Sequence, residues 1–315
     1  MNNLKKVGLT ALAGALVSVS ANAADLSVTG GVSLNFAGEE KQTTGNGWSM
    51  NDGITFKASG EMDNGWAVTA TQIIDSSDGV EAAIMDTRIL AIDMGDSGTL
   101  TFSGTGGSSV LDAIDDVTPT AGEESWDDVT GADAIPGGTG GDNMFHYSNS
   151  SLMDGMTISA SYTPSNAATE VESSSDYGIK YTGIDGLTIG LAQGTDETDP
   201  TATVDTTNMY VTYAMDAFTV GYQASEDDSE ATNADLDFTA LGLSYAVSEE
   251  MSVSVNTSTI DYENATLSDQ EATGISVSYV MGSMTLKANH NSVDNIAGTS
   301  TDDRSGYALG LTFAF

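Results

Sequence analysis

The strongest constraint on this chain is a unit that returns through its second half at a steady interval. The copies read YGIKYTGIDGLTIGLAQ, MYVTYAMDAFTVGYQ, LGLSYAVSEEMSVSV and GISVSYVMGSMTLKA. Their tyrosines, Tyr181, Tyr213, Tyr245 and Tyr279, are spaced by 32, 32 and 34 residues. Each closes an alternating stretch and is followed by a tight polar turn and a second alternating stretch. Alternation with period two means β-strand, and two such strands across a short turn make a hairpin. A run of serial hairpins leaves two open sheet edges, and closing the sheet on itself removes both. The pattern therefore predicts a barrel.

The N-terminus reads as an export signal. Lys5 and Lys6 form a basic start, residues 7–17 are an apolar run, and Ala21-Asn22-Ala23 is a small-x-small cleavage site. Such a segment is too short to span a bilayer as a helix. Residues 1–23 are expected to be removed, leaving 24–315 as a single domain. With Lys5 and Lys6 gone, 8 basic residues become 6 against 46 acidic ones, and the formal charge of −38 becomes −40. Nucleic acid is excluded as a partner, because phosphate contacts need clustered Lys and Arg. No cysteine occurs, so disulfides play no part.

The hairpin pattern extends backwards. Ile54, Phe56 and Ala58 alternate toward Asn64-Gly65, a strong hairpin signal, and Trp66, Val68 and Ala70 alternate away from it. Further pairs flank Gly95-Asp96-Ser97-Gly98 and Asp154-Gly155. Seven hairpins and two terminal strands, Leu26–Phe36 and Arg304–Phe315, give sixteen strands, an even number that lets first pair with last. The longer connections are expected at 37–51, 74–87, 105–142, 163–175, 194–204, 224–235, 257–270 and 291–302. All four prolines (Pro119, Pro136, Pro164, Pro200) fall in them, as ladder hydrogen bonding requires.

No apolar run after the signal is long enough for a membrane helix, but transmembrane strands alternate and average out in hydropathy. Short turns at one end and long loops at the other are the layout of an outer-membrane barrel. Tyr181, Tyr213, Tyr245 and Tyr279 share the phase of their apolar neighbours at the turn end, as an interfacial aromatic girdle requires. The other phase is small or polar: Thr182, Thr212, Ser244, Ser276, Ser278, Thr285, Asn289. A soluble sandwich could show the same alternation. The signal, the even count and the terminal aromatic favour the membrane. Sixteen strands is also wide enough to leave a water channel.

One connection breaks the beat. Loop 105–142 carries Asp112, Asp115, Asp116, Glu123, Glu124, Asp127, Asp128, Asp133 and Asp142, and no Lys or Arg occurs between Ile89 and Ile179. A structureless loop of that length is functional or disordered. Exposed, it is a solvated acidic flap; folded inward, it would line a constriction with carboxylates, which select cations electrostatically. Asp127 and Asp128 could also hold a Ca²⁺ ion, a hard cation that takes oxygen ligands, although the spacing is not that of an EF-hand.

Over essentially its whole mature length the chain resembles the general porins of Gram-negative outer membranes. The segments that carry the resemblance are GITFKASGEMDNGWAV (53–68), TRILAIDMGDSGTLTFSG (87–104) and DNMFHYSNSSLMDGMTISASY (142–162), with Phe315 at the C-terminus. The resemblance implies an all-β, sixteen-stranded antiparallel transmembrane barrel with short periplasmic turns, long external loops and the third loop folded into the pore. It also implies a homotrimer in the outer membrane, in contact with lipid and lipopolysaccharide, with Phe315 read by the assembly machinery. The family places arginines on the wall facing the acidic loop. The matching positions here are Gly53, Arg88, Gly104 and His146, of which only Arg88 keeps a guanidinium, while its parity is that of Leu90, Ile92 and Met94. Lys57, Lys180 and Lys287 are expected to face the lumen.

These readings combine into a passive diffusion channel for small hydrophilic solutes that prefers cations, with no cofactor required. The constriction set is Asp112, Asp115, Asp116, Glu123, Glu124, Asp127, Asp128, Arg88, Lys57 and His146; the girdle set is Tyr181, Tyr213, Tyr245, Tyr279 and Phe315. A substrate-specific channel would need an aromatic slide or charge ladder along the lumen, and none stands out. A non-channel surface protein remains a third reading. His146 and His290 lack a nucleophile motif beside them, so an enzyme is not expected.

Overall fold

The computed structural model describes residues 25–41, 45–75, 85–135, 137, 141–165, 172–197 and 202–315. The expected signal, 1–23, and parts of five long loops lie outside them.

Sixteen strands follow in order: β1 (Asp25–Glu39), β2 (Trp48–Glu61), β3 (Ala67–Asp75), β4 (Thr87–Asp93), β5 (Thr99–Thr105), β6 (Met144–Met153), β7 (Met156–Thr163) and β8 (Ser174–Ile184). The second half comprises β9 (Leu187–Asp196), β10 (Val204–Met215), β11 (Phe218–Ser229), β12 (Leu236–Ala246), β13 (Met251–Tyr262), β14 (Gln270–Met281), β15 (Met284–Asp294) and β16 (Arg304–Ala314). Every strand pairs antiparallel with its sequence neighbours, and β1 pairs with β16 to close the barrel. At the seam Gly31 lies opposite Ala314, and Gly30 and Phe315 exchange both backbone hydrogen bonds at 2.8 and 2.9 Å.

The turn chemistry explains the hairpins. Gly65 takes a left-handed φ of 83°, and the amide of Met62 donates to the carbonyl of Trp66 at 2.8 Å. Glycine reaches that conformation without steric cost. Asp216 takes φ 52° at the equivalent place between β10 and β11, a role that short polar side chains tolerate.

Cross-strand register keeps one face continuous around the barrel. Leu34 faces Leu311, Leu311 faces Leu286, and Leu286 faces Tyr279. Farther round, Tyr245 lies opposite Phe218 and Val253, and Tyr213 opposite Leu187 and Val220. This outer face is apolar and exposed: Leu26, Val28, Leu241 and Ile275 are each more than half accessible. All four repeat tyrosines belong to it, Tyr181 by its pairing with Met156 and Ile189. The Tyr245 and Phe218 rings stand 4.6 Å apart. The opposite face carries Asn, Gln, Ser and Thr.

The strands run farther toward the long-loop end than their sequence suggests. β11 continues to Ser229 and β13 to Tyr262, although loops were expected from 224 and 257. Likewise β1 reaches Glu39 and β15 reaches Asp294. There both faces become polar, with Glu226 opposite Thr207 and Asp237. Alternation disappears from the sequence while the ladder hydrogen bonds persist.

Candidate pore constriction

The third loop, over residues 106–135, folds inside the barrel and lies along the inner wall from β7 round to β16. Its first anchor is polar and apolar at once. Val110 N–H donates to Ser161 Oγ at 3.0 Å and Leu111 N–H to Asp176 Oδ2 at 3.5 Å, while Val110 and Leu111 pack on Ala192. The 3-10 turn Asp112–Ile114 follows, with the Asp112 carboxylate accepting from Ser109 N–H at 2.8 Å. Gln223 then holds the loop backbone, its Nε2 donating to the carbonyls of Ile114 at 2.7 Å and Asp115 at 3.0 Å.

Glycines on the wall let the loop come close. A side chain on Gly221 would run into Pro119, and a Cβ on Gly242 would stand 2.6 Å from Thr118 Cγ2. Farther along, Ala121 N–H donates to Ser254 Oγ at 2.8 Å. Asn291 Nδ2 donates to the carbonyls of Glu124 at 2.7 Å and Asp127 at 2.8 Å. Trp126 anchors this stretch: its ring stands edge-on to Phe238 at 5.2 Å, in a buried cluster with Ile135, Ala240 and Ile260. Val129 packs on Ala272, Val293 and Ile296. Gln270 and Tyr262 complete the fastening, the tyrosine hydroxyl donating to Asp133 Oδ2 at 2.6 Å.

The carboxylates gather on this fastened loop. Glu123, Glu124 and Asp127 bring oxygens within 4.8 Å of one another. Glu124 is buried, and burial, with Asp116 and Asp127 nearby, pushes its carboxyl up to about 8. Burial is also the main cause that lifts Asp127 to about 6, against the opposing hydrogen bond from Glu124 N–H at 3.1 Å. Asp115 rises to about 6 through burial and then the charge of Asp116. Asp116 and Asp128 are raised as well, again by burial first and then by Glu123 for Asp116. The expected pairing of Asp127 with Asp128 around an ion needs revision. Asp128 is turned onto Asn289 Nδ2, so the acids that approach one another around Asp127 are Glu123 and Glu124, not Asp128. A hard cation would find its oxygen ligands in those three.

The basic residues distribute unevenly. Lys57 faces the lumen, in a row with Ser27 and Thr71, on the wall that the loop leaves uncovered. His146 is also inward, in a row with Ser161 and Asp176 at the first loop anchor. Lys180 faces inward opposite Thr157 and Gly190. Lys287 Nζ, inside the barrel, donates to Gly122 O at 3.2 Å and pairs with Glu123 Oε1 at 3.3 Å. Arg304 is tied to Glu39 at 2.6 Å and Asp302 at 3.1 Å. Arg88 does not belong with the constriction set. It lies opposite Gln72, one step along from the Leu90–Ala70 pair, and therefore points outward with Leu90. Strand alternation, not motif position, decides the side. The side chains that sequence reading missed are the amides that hold the loop (Asn208, Gln223, Gln270, Asn291), all in the inward phase of their strands.

Residues 8–266 match the family described as Gram-negative porin, well over half of the chain. The chain belongs to the Gram-negative porin family. Solved porin-like structures cover nearly all of it. It is similar to a loop-deletion mutant of OmpT, an outer membrane protein of Vibrio cholerae, at 14% identity and TM-score 0.73, over 93% of this chain and 100% of that one. A mutant of Rh. blastica porin aligns at 16% identity and TM-score 0.67, over 92% and 100%. Salmonella typhi OmpF aligns at 12% identity and TM-score 0.70, over 94% and 99%. No curated protein matches the chain in sequence. At such identities the structural likeness carries the fold, and the family match carries the porin assignment: an outer-membrane β-barrel channel of a Gram-negative bacterium.

Proposed function

We propose that this porin is a diffusion channel for small hydrophilic solutes that favours cations, with loop 105–142 as its constriction. The supporting observation is an asymmetry of the lumen. The loop, fastened along β7–β16, presents the carboxylates of Asp112, Asp115, Asp116, Glu123, Asp127 and Asp128, with Glu124 buried among them and protonated below about pH 8. The facing wall of β2–β4 offers Thr55, Lys57, Thr69 and Thr71, with Lys57 the one inward base there among the described residues. Carboxylates on one side without a guanidinium row opposite produce a negative potential across the passage. The test is neutralisation: the variant with Asp115, Asp116, Asp127 and Asp128 all changed to Asn should keep its conductance steps and lose most of its cation preference. Retained preference in that variant would place selectivity elsewhere.

We infer a homotrimer on two grounds. The outer face of β1 and β2 is apolar over most of its height, through Leu26, Val28, Leu34, Trp48, Met50 and Ile54, all exposed in the single chain. In addition, one similar structure, the in-vitro folded OmpT of Vibrio cholerae, is described as a trimer form. The rest of the outer face meets lipid, with Tyr181, Tyr213, Tyr245, Tyr279 and Phe315 near the periplasmic boundary, and Phe315 is the residue offered to the assembly machinery.

A further inference from the structure

The wall that the loop leaves free is not a plain polar surface. On the inward face of β1 and β2, Gly31 stands opposite Gly53, and Ala314 of β16 flanks Gly31 on its other side. Three neighbouring inward positions thus carry no side chain larger than a methyl. They floor a hollow of about 610 Å³ lined by Thr29, Thr55 and Ile73, with Phe315 at the seam. Strand packing does not fill it: a Cβ on Gly53 would have its nearest neighbours at 3.8 and 4.0 Å, the Ile74 carbonyl and the Asp75 carboxylate.

Ile73 is out of place on a wall that faces water. Phe238, Ile260 and Val293 also point inward, and all three are buried in the clusters that seat the third loop. Ile73 belongs to no such cluster and stays partly accessible, in one row with Thr29 and Thr55. Charges of opposite sign flank that row. Lys57 lies in the next inward row toward the turn, opposite Thr71, and Asp75 in the next row toward the long loops, opposite Gly53. Their Cα atoms are about 14 Å apart along the sheet, a gap that the long lysine side chain shortens. They form no ion pair with each other or with another described residue.

A solute in this hollow meets an ammonium at one end, a carboxylate at the other, two hydroxyls between them and an aliphatic side. A simple cation is drawn to Asp75 and repelled by Lys57, and a simple anion the reverse. A zwitterion satisfies both, its carboxylate accepting from Lys57 and its ammonium donating to Asp75. An aliphatic group on the same molecule removes Ile73 and the bare glycine floor from water. We propose that the hollow is a binding site for free α-amino acids with aliphatic side chains, such as leucine. This rests on the reading of the barrel as a channel for small solutes and names the class that its uncovered wall retains longest.

The test is a ligand-detected NMR titration of the full-length mature protein in nonionic detergent, which reads binding without any current. Leucine should bind about fourfold more tightly than glutamine, a zwitterion of similar size, on the scale of one buried methylene. Leucinamide lacks the anionic charge and isocaproate the cationic one. Each should bind about tenfold more weakly than leucine, the scale of one lost charge-assisted hydrogen bond. Gly53→Leu, which fills the hollow and keeps both charges, should erase the advantage of leucine over glutamine. Lys57→Met should make leucine and leucinamide bind alike. Leucinamide binding as tightly as leucine in the parent would mean that net negative charge alone attracts amines, and overturns the proposal. Leucine affinity unchanged in Gly53→Leu overturns it too. Planar-bilayer conductance separates the site from the channel reading. An open channel that binds no leucine overturns the site alone, whereas leucine binding of this pattern without conductance supports the site and overturns the channel.

Discussion

Glu124 offers the most quantitative check on how the loop is held. Its carboxyl, ordinarily near 4.5, is raised to about 8 by burial and by Asp116 and Asp127. The native state therefore holds a proton that the released loop would give up, and the seated state weakens as pH rises from about 4.5 to about 8. At about 1.4 kcal/mol per unit, the weakening reaches about 3 kcal/mol at pH 7 and about 5 kcal/mol above pH 8. The groups facing Glu124 are Glu123 and Asp127 in its own turn and Asp116 on the preceding limb, while Lys287 is held by Glu123 and the Gly122 carbonyl. No cation offsets Glu124 directly among the described residues. Trp126, two residues on and packed against Phe238, reports on the seat. With Trp48 and Trp66 changed to Phe, it becomes the single tryptophan, and acrylamide quenching measures its accessibility. Quenching should be low at pH 5 and rise between pH 6 and 8.5. Glu124→Gln, which cannot ionise, should flatten that rise and leave the pH 5 value unchanged. A flat profile in the parent, or an equal rise in the variant, would refute the reasoning.

Two further outcomes follow from the seat. Trp126→Ala empties the cluster of Phe238, Ile135, Ala240 and Ile260 and should cost about 3–5 kcal/mol of seating energy, the usual range for a buried large aromatic; single-channel recordings should then show larger and noisier conductance steps. Lys287→Met removes the ammonium that pairs with Glu123 and should increase the cation-to-anion permeability ratio, whereas a decrease would mean that Lys287 matters only as a tether.

Much of the barrel was legible because its two determinants are local. Alternation gives the strand, and Asn64-Gly65, Asp154-Gly155 and Asp185-Gly186 give the turns, so sixteen strands could be counted before any contact was known. What failed to show was non-local. The seat of the loop depends on Gln223, Asn291 and Trp126 meeting across 100 residues or more, as in the bond from Gln223 to Ile114 with a separation of 109. Nothing in the loop itself says which wall will receive it. Strand ends were misjudged where Glu226 and Asp228 make the outer face as polar as the inner. Arg88 is the instructive case: motif matching set it in the pore, whereas its parity with Leu90, readable from the sequence, sets it outside. Asp128 was grouped with Asp127 because they are adjacent, yet its left-handed φ of 61° goes with a side chain turned to Asn289.

The central claim is that charge on the third loop governs what passes. The zero-current potential of the purified protein in a planar bilayer, under a tenfold potassium chloride gradient, tests it most directly. Dilute salt is the better condition, because screening reaches only about 10 Å at 0.1 M and about 30 Å at 0.01 M. The account predicts a potential of cation sign that approaches the ideal limit of about 59 mV as the salt is lowered. A potential near zero, or one of anion sign, would contradict it.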